Sequence, residues 1–152
     1  MKFSTRATYG LRAMLYLADH YGESAVSISQ IAEEERISAA YLEQILSRIK
    51  KEGWVKSVRG PRGGYVLTAK PSQITVGKVL VALGEDIQVS GSAEPAGKRR
   101  RPAAHAASEL FWKKLSGAFA EALDRVTLEA LIQAARQEPQ AKAQGLPIHF
   151  NI

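Results

Sequence analysis

Two stretches decide the fold: Ile37-Ser38-Ala39-Ala40-Tyr41-Leu42-Glu43-Gln44-Ile45-Leu46-Ser47-Arg48-Ile49-Lys50, and, shortly after it, Val58-Arg59-Gly60-Pro61-Arg62-Gly63-Gly64-Tyr65. In the first, Leu42, Ile45, Leu46 and Ile49 recur at i, i+3, i+4 and i+7, a single apolar stripe that must face a core. Ser38 stands where an N-cap belongs. The opposite face carries Ala39, Ala40, Glu43, Gln44, Ser47 and Lys50, small at the start and polar further on. Such a face suits insertion into a DNA major groove, which is about 12 Å wide. Gly53 ends the helix, residues 54–58 alternate like a strand, and Gly63-Gly64-Tyr65-Val66-Leu67 starts a return strand. The hairpin tip between them is rich in Gly and Pro and carries Arg59 and Arg62. A helix with one free polar face followed by a basic hairpin is the part order of a winged helix-turn-helix.

Each part has a physical job on a duplex. Glycines let the tip approach a sugar-phosphate backbone, and arginines suit the negative potential of a minor groove. Glu43 would be repelled by phosphates unless it accepts a hydrogen bond, for example from a cytosine amino group, so its role would be discrimination rather than affinity. For Glu43 and Gln44 alone the bland alternative is a solvated polar face. The hairpin placed directly after them favours DNA.

Upstream, Ala7, Leu11, Met14, Leu15, Leu17 and Ala18 mark a helix from the cap Ser4 to Tyr21, closed by Gly22. A second helix starts at Ser27 or Ser29, with Ile28, Ile31 and Ile37 inward and Glu33-Glu34-Glu35 as a solvated run. Downstream, Thr75 caps a short helix containing Val76, Val79, Leu80, Ala82 and Leu83. The expected fold class is therefore mainly α with a small β-hairpin wing, a DNA-binding unit over residues 1–84 extended by a long C-terminal helix.

Residues 85–104 change in composition toward Ser, Gly, Pro, Ala and Arg and read as a flexible loop. Its Lys98-Arg99-Arg100-Arg101 run is either a solvated basic loop or a phosphate contact. Helices are expected over 105–136. In the long one, from about His105 to Arg125, Phe111, Leu115, Ala118, Phe119, Ala122 and Val126 form a stripe. At about 30 Å that stripe has more apolar length than a small wing domain can cover. It implies an isologous interface in a homodimer, the alternative being intrachain packing against the first helix. A short capped helix restarts at Thr127, and 137–152 reads as a loose tail.

The 152-residue chain has a formal net charge of +6, which favours a polyanionic partner, with nucleic acid foremost. No apolar run reaches the roughly 18 residues of a membrane span, and a cytoplasmic protein is expected. An enzyme is disfavoured: no phosphate-cradling motif follows a strand, and no nucleophile pairs with a base. The sequence contains no cysteine, which removes disulfides and thiolate metal sites.

The segments 37–48 and 58–65 resemble the signature of the IscR-type iron-sulfur cluster regulators, bacterial winged-helix repressors and activators. The resemblance runs from Met1 to about Ala135. It implies a homodimer placing two recognition helices in successive major grooves of a double-stranded operator and two wings in flanking minor grooves. DNA-binding candidates are then Ser38, Ala39, Ala40, Tyr41, Glu43, Gln44, Ser47, Arg48, Lys50, Arg59, Gly60, Arg62, Gly63 and Gly64. Glu43 and Arg59 stand first among them, while Ala40 holds a position often hydroxylated in the family and offers no side-chain donor.

The resemblance also implies a two-iron two-sulfur cluster held by three cysteines and a fourth ligand. With Trp112 and Leu115 setting the register, the last cysteine would fall at Ala106, with Ala93, Ala96, Ala103 and Ala104 candidates for the others. Glu109 stands where the fourth ligand would, and His105 is either a helix-start polar residue or a surviving ligand. The expected function is a homodimeric, sequence-specific transcription regulator in a cluster-free state. Two alternatives stay open: a metal-independent winged-helix regulator answering a small molecule or protein partner, and a winged-helix protein-interaction module.

Overall fold

The computed structural model describes residues 3–87 and 102–143, with side chains through residue 138. Helix α1 (Thr5–Asp19) opens on Ser4, whose side chain accepts from the Ala7 amide at 3.1 Å. It packs closely against its neighbours at Gly10, where a Cβ would collide with the buried Leu83 side chain and press on Ile45. Helix α2 (Ile28–Glu35) is capped by Ser27, which accepts from the Gln30 amide at 3.1 Å, so the start lies at Ser27 rather than Ser29.

Arg36 leaves α2 in the left-handed conformation with φ 54°, and the Ile37 amide returns to Ala32 O at 2.9 Å. This six-to-one closure, with Ile37 buried behind it, is a Schellman stop that normally favours glycine. It turns the chain into α3 (Ala39–Lys51), capped by the Ser38 side chain. Leu42, Ile45, Leu46 and Ile49 are each at most 1% exposed, so the apolar stripe meets the core as its spacing requires.

After Gly53, at φ +78°, strands β1 (Val55–Val58) and β2 (Gly64–Leu67) form an antiparallel hairpin pairing Val55 with Leu67 and Val58 with Gly64. Val26, between α1 and α2, adds a single bridge from a third segment: it exchanges both hydrogen bonds with Tyr65, at 3.0 and 2.8 Å. The wing is thereby bonded to the segment that enters α2.

A 3-10 turn (Pro71–Gln73) leads to α4 (Val76–Ala82), capped by Thr75. Helix α5 (Ala103–Arg125) follows, 23 residues long and about 35 Å by the standard rise. Its last turns lie against α4, where Thr75 donates to Asp124 Oδ1 at 3.2 Å. Helix α6 (Leu128–Ala143) starts at a cap provided by Thr127 and lies along α1.

The α5–α6 junction is stitched into the body. Val76 N donates to Val126 O at 2.8 Å, Leu128 N donates to Ile74 O at 3.0 Å, and the Leu128 side chain is fully buried in the main core. Against the alternative of α5 packing along α1, the flank of α1 is covered by α6 while the last turns of α5 pack on α4, and helix α6 continues to Ala143 within the stretch read from sequence as a loose tail. Residues 144–152 lie outside the described residues.

Candidate nucleic-acid interface

The free face of α3 and the hairpin tip are both exposed. Ser38, Ala39, Ala40, Glu43, Gln44, Ser47, Arg48 and Lys50 are exposed along the helix, and Arg59, Gly60 and Arg62 are exposed at the tip. Arg48, Lys50 and Lys51 crowd the last turn of α3, where they also offset the negative end of the helix dipole. Lys51 and the exposed Lys56 of β1 extend this positive edge beyond the sequence candidates, and their signal was only local basic charge.

Glu43 reaches the wing electrostatically. Burial, and then the Glu43 carboxylate, push the Tyr65 phenol above its ordinary pKa, because each opposes a phenolate. The Glu43 carboxylate on the free side of α3 therefore lies within electrostatic reach of Tyr65 on β2.

Several candidates have an intramolecular task. Ser38 Oγ accepts from the Tyr41 amide at 3.1 Å and so caps the helix. Lys50 Nζ donates to Ser57 Oγ at 3.1 Å, tying the end of α3 to β1. Tyr41 is half-buried and meets the Tyr9 ring edge-on, with centroids 6.3 Å apart. Gly63 and Gly64 are required by the protein itself: a Cβ on Gly63 would collide with Val58 O, and one on Gly64 with the Val26 carbonyl. Gly60, at φ +115°, has open space where a side chain would go, so only the turn's conformation demands glycine there. The Val26 bridge was not legible beforehand, because one residue of extended backbone leaves no alternation to detect.

The residues at the expected cluster site do not suit an iron-sulfur cluster. Ala103, Ala104 and Ala106 are exposed on the first turn of α5 and end in methyl groups with no lone pair to donate. His105 Nε2 stands 3.8 Å from Glu109 Oε1, one turn on along the same helix. Among the described residues no three His, Cys, Asp or Glu side chains converge on a point that could hold a metal. Ala93, Ala96 and the Lys98–Arg101 run lie outside the described residues.

The stripe expected on α5 divides in two. Leu110, Phe111, Trp112 and Leu115 are 53%, 57%, 36% and 39% exposed, and Ala118 is exposed as well. Phe119, Ala122 and Val126 are half-buried, and Val126 packs with Leu123 against Val76 and Leu80 of α4. No helix among the described residues is long and apolar enough to cross a membrane.

Known proteins share both sequence and architecture with this chain. The transcriptional regulator CymR of Bacillus subtilis is 38% identical over 144 residues, covering 93% of this chain and 96% of its own. The transcriptional regulator IscR of Vibrio atlanticus is 37% identical over 136 residues, covering 88% and 76%. The solved structure of CymR, the global cysteine regulator of B. subtilis, superposes with a TM-score of 0.73 at 37% identity over 86% of this chain and 95% of that one. That of T. potens IscR gives 0.70 at 36% identity over 89% and 88%. These relatives are regulators rather than enzymes. The Rrf2 family, described as iron-dependent transcriptional regulators, matches residues 3–134, and the chain belongs to it as a DNA-binding winged-helix transcriptional regulator.

Proposed function

We propose that this protein is a cytoplasmic homodimer that reads a double-stranded operator with α3 and the wing, and that it does so without an iron-sulfur cluster. The observation that carries the proposal is that the polar side of α3 is exposed from Ser38 to Lys50 and that Arg59 and Arg62 are exposed at the tip of the hairpin that follows it. On the helix Ala39 and Ala40 allow close approach to base edges, Glu43 and Gln44 select among them, and Ser47, Arg48 and Lys50 lie toward the phosphates. Arg59 and Arg62 enter the adjacent minor groove.

Two copies are needed to place two such surfaces about one helical turn apart, roughly 34 Å. The uncovered apolar half of α5, from Leu110 to Ala118, supports the pairing, since a solvated helix gains nothing from four large apolar residues on its surface. The cluster-free state follows from the donor chemistry: cysteine is absent and the first turn of α5 offers alanine methyls. Iron-sulfur reconstitution under anaerobic conditions should give no stoichiometric visible chromophore.

A second reading, that regulation runs through a small molecule, is supported by a groove of about 400 Å³ between α1 and α6. Leu15, Leu131 and Ile132 give it apolar lining, and Arg12, Glu35 and Arg136 line it as well. In either reading DNA is the partner, which selection of duplexes from a randomised pool tests. Affinity for the selected duplex should fall steeply with salt, and Arg59→Ala should weaken binding and flatten the salt dependence by about one unit of log–log slope. Glu43→Ala should relax sequence preference at one position, where discrimination is about 1–3 kcal/mol. Failure to select any duplex overturns the proposal and favours a protein-interaction module.

A further inference from the structure

Upstream of Leu42 the recognition helix has no buried residue. Ala39 and Ala40 are exposed, and Tyr41, half-buried, is the side chain by which the first turn touches the body of the protein. Its neighbour is Tyr9 on α1, edge-on at 6.3 Å and 82°. One turn further along α1, the Arg12 guanidinium lies 5.9 Å from the Tyr9 ring centroid and, through Nη2, 2.5 Å from Glu35 Oε2. Glu35 is the last residue of α2, immediately before the left-handed Arg36 that opens the turn into α3. Four side chains therefore join α1, the end of α2 and the start of α3 at one point.

We propose that Tyr9, Arg12 and Glu35 are positioning residues for DNA recognition: they set the pitch of the first turn of α3 through Tyr41, without touching DNA themselves. The inference rests on the assignment of α3 as the recognition helix. A planar guanidinium can hold a carboxylate and lie near an aromatic ring at once, which a flexible ammonium does less well. An aromatic pair in edge-to-face geometry resists tilting of either ring. Loss of the Glu35 anchor frees Arg12, loss of Arg12 or of the Tyr9 ring frees Tyr41, and the first turn then samples orientations that fit base edges poorly. Phosphate contacts are more tolerant of such movement, so sequence discrimination should suffer more than general affinity.

Glu35→Gln separates this from simple electrostatics by the sign of its effect. Removing a negative charge from a protein that binds a polyanion should tighten binding to every duplex if charge alone matters. If Glu35 positions α3, binding to a duplex selected by the wild-type chain should weaken by roughly three- to tenfold, the scale of one aromatic-pair interaction, while binding to a scrambled duplex holds or tightens. Tyr9→Leu should lose the same selectivity, and Tyr9→Phe, which keeps the ring, should restore it. Thermal unfolding of each variant reports the folded fraction, which affects both duplexes equally and leaves their ratio unchanged. An unaltered ratio in Glu35→Gln and Tyr9→Leu, or a Tyr9→Phe variant as poor as Tyr9→Leu, overturns the inference. In that case a ratio that still collapses in Glu43→Ala leaves α3 as the recognition helix, whereas no selectable duplex at all removes both.

Discussion

Replacing Leu128 by alanine should be among the most damaging single changes in the chain, although Leu128 is only the first residue of the last helix. Its side chain is fully buried with Ile74 and the stripe of α3, and the backbone around it is fastened by Leu128 N to Ile74 O and Val76 N to Val126 O. A site clamped on both sides collapses poorly around a void, which places the cost in the middle or upper part of the ~2–5 kcal/mol range for leucine-to-alanine changes. Taking about 3 kcal/mol from a total stability of about 5–15 kcal/mol raises the unfolded fraction by roughly two orders of magnitude. The melting temperature should fall by about 6–12 °C for a chain of this size. Urea titration followed by circular dichroism checks it, with a lower midpoint and an unchanged slope. A loss below about 1 kcal/mol would mean that the α5–α6 junction is not part of the DNA-reading core.

Three further outcomes are expected. Arg36→Gly should stabilise the fold by about 0.5–1 kcal/mol in urea titration, because glycine meets the left-handed Schellman position without a Cβ penalty; destabilisation would mean that the arginine side chain holds the turn. If the proposed dimer pairs through α5, Phe111→Ser with Leu115→Ser should halve the mass measured by sedimentation while leaving the circular dichroism spectrum intact, since both residues are exposed in the protomer; a dimeric mass in the variant, or a monomeric mass in the parent chain, would contradict that pairing. Tyr65 has a folded-state pKa raised above its unfolded value, so its contribution to stability is complete below pH 10 and is lost as pH rises through the folded value. Tyr65→Phe should therefore unfold less steeply with pH above 10 than the parent chain, and equal slopes would contradict the assigned burial of the phenol.

Local features were legible from residues alone. Caps at Ser4, Ser27, Ser38 and Thr75 carry out in three dimensions the task their side-chain oxygens are suited to, accepting an otherwise unpaired amide. The spacing of Leu42, Ile45, Leu46 and Ile49 specified which face of α3 is buried and, by subtraction, which face is free. The hairpin was visible in its strand alternation and Gly/Pro tip, and Arg59 and Arg62 stand exposed at that tip.

The tasks of particular side chains were less legible, because they depend on partners distant in sequence. Gly63 and Gly64 read as groove-approaching glycines, yet Gly64 is needed because Val26, on another segment, crosses its backbone. Lys50 reads as part of the groove-facing side of α3 and hydrogen-bonds Ser57. Tyr9 and Arg12 carry no pattern that marks them, since one lies on a partly buried face and the other on an exposed one, and only the approach of α2 and α3 brings them into a cluster.

The order of residues by itself determined the helices of the N-terminal unit, the buried stripe of α3, the basic hairpin and the absence of thiol donors, all properties that repeat within a few residues or require no geometry. Tertiary structure alone decided that α6 rather than α5 lies along α1, that Leu128 completes the main core, and that Val26 braces the wing. The physical reason is that periodicity reports which face of an element avoids water, whereas the partner that covers it is chosen by packing and chain closure over the whole molecule.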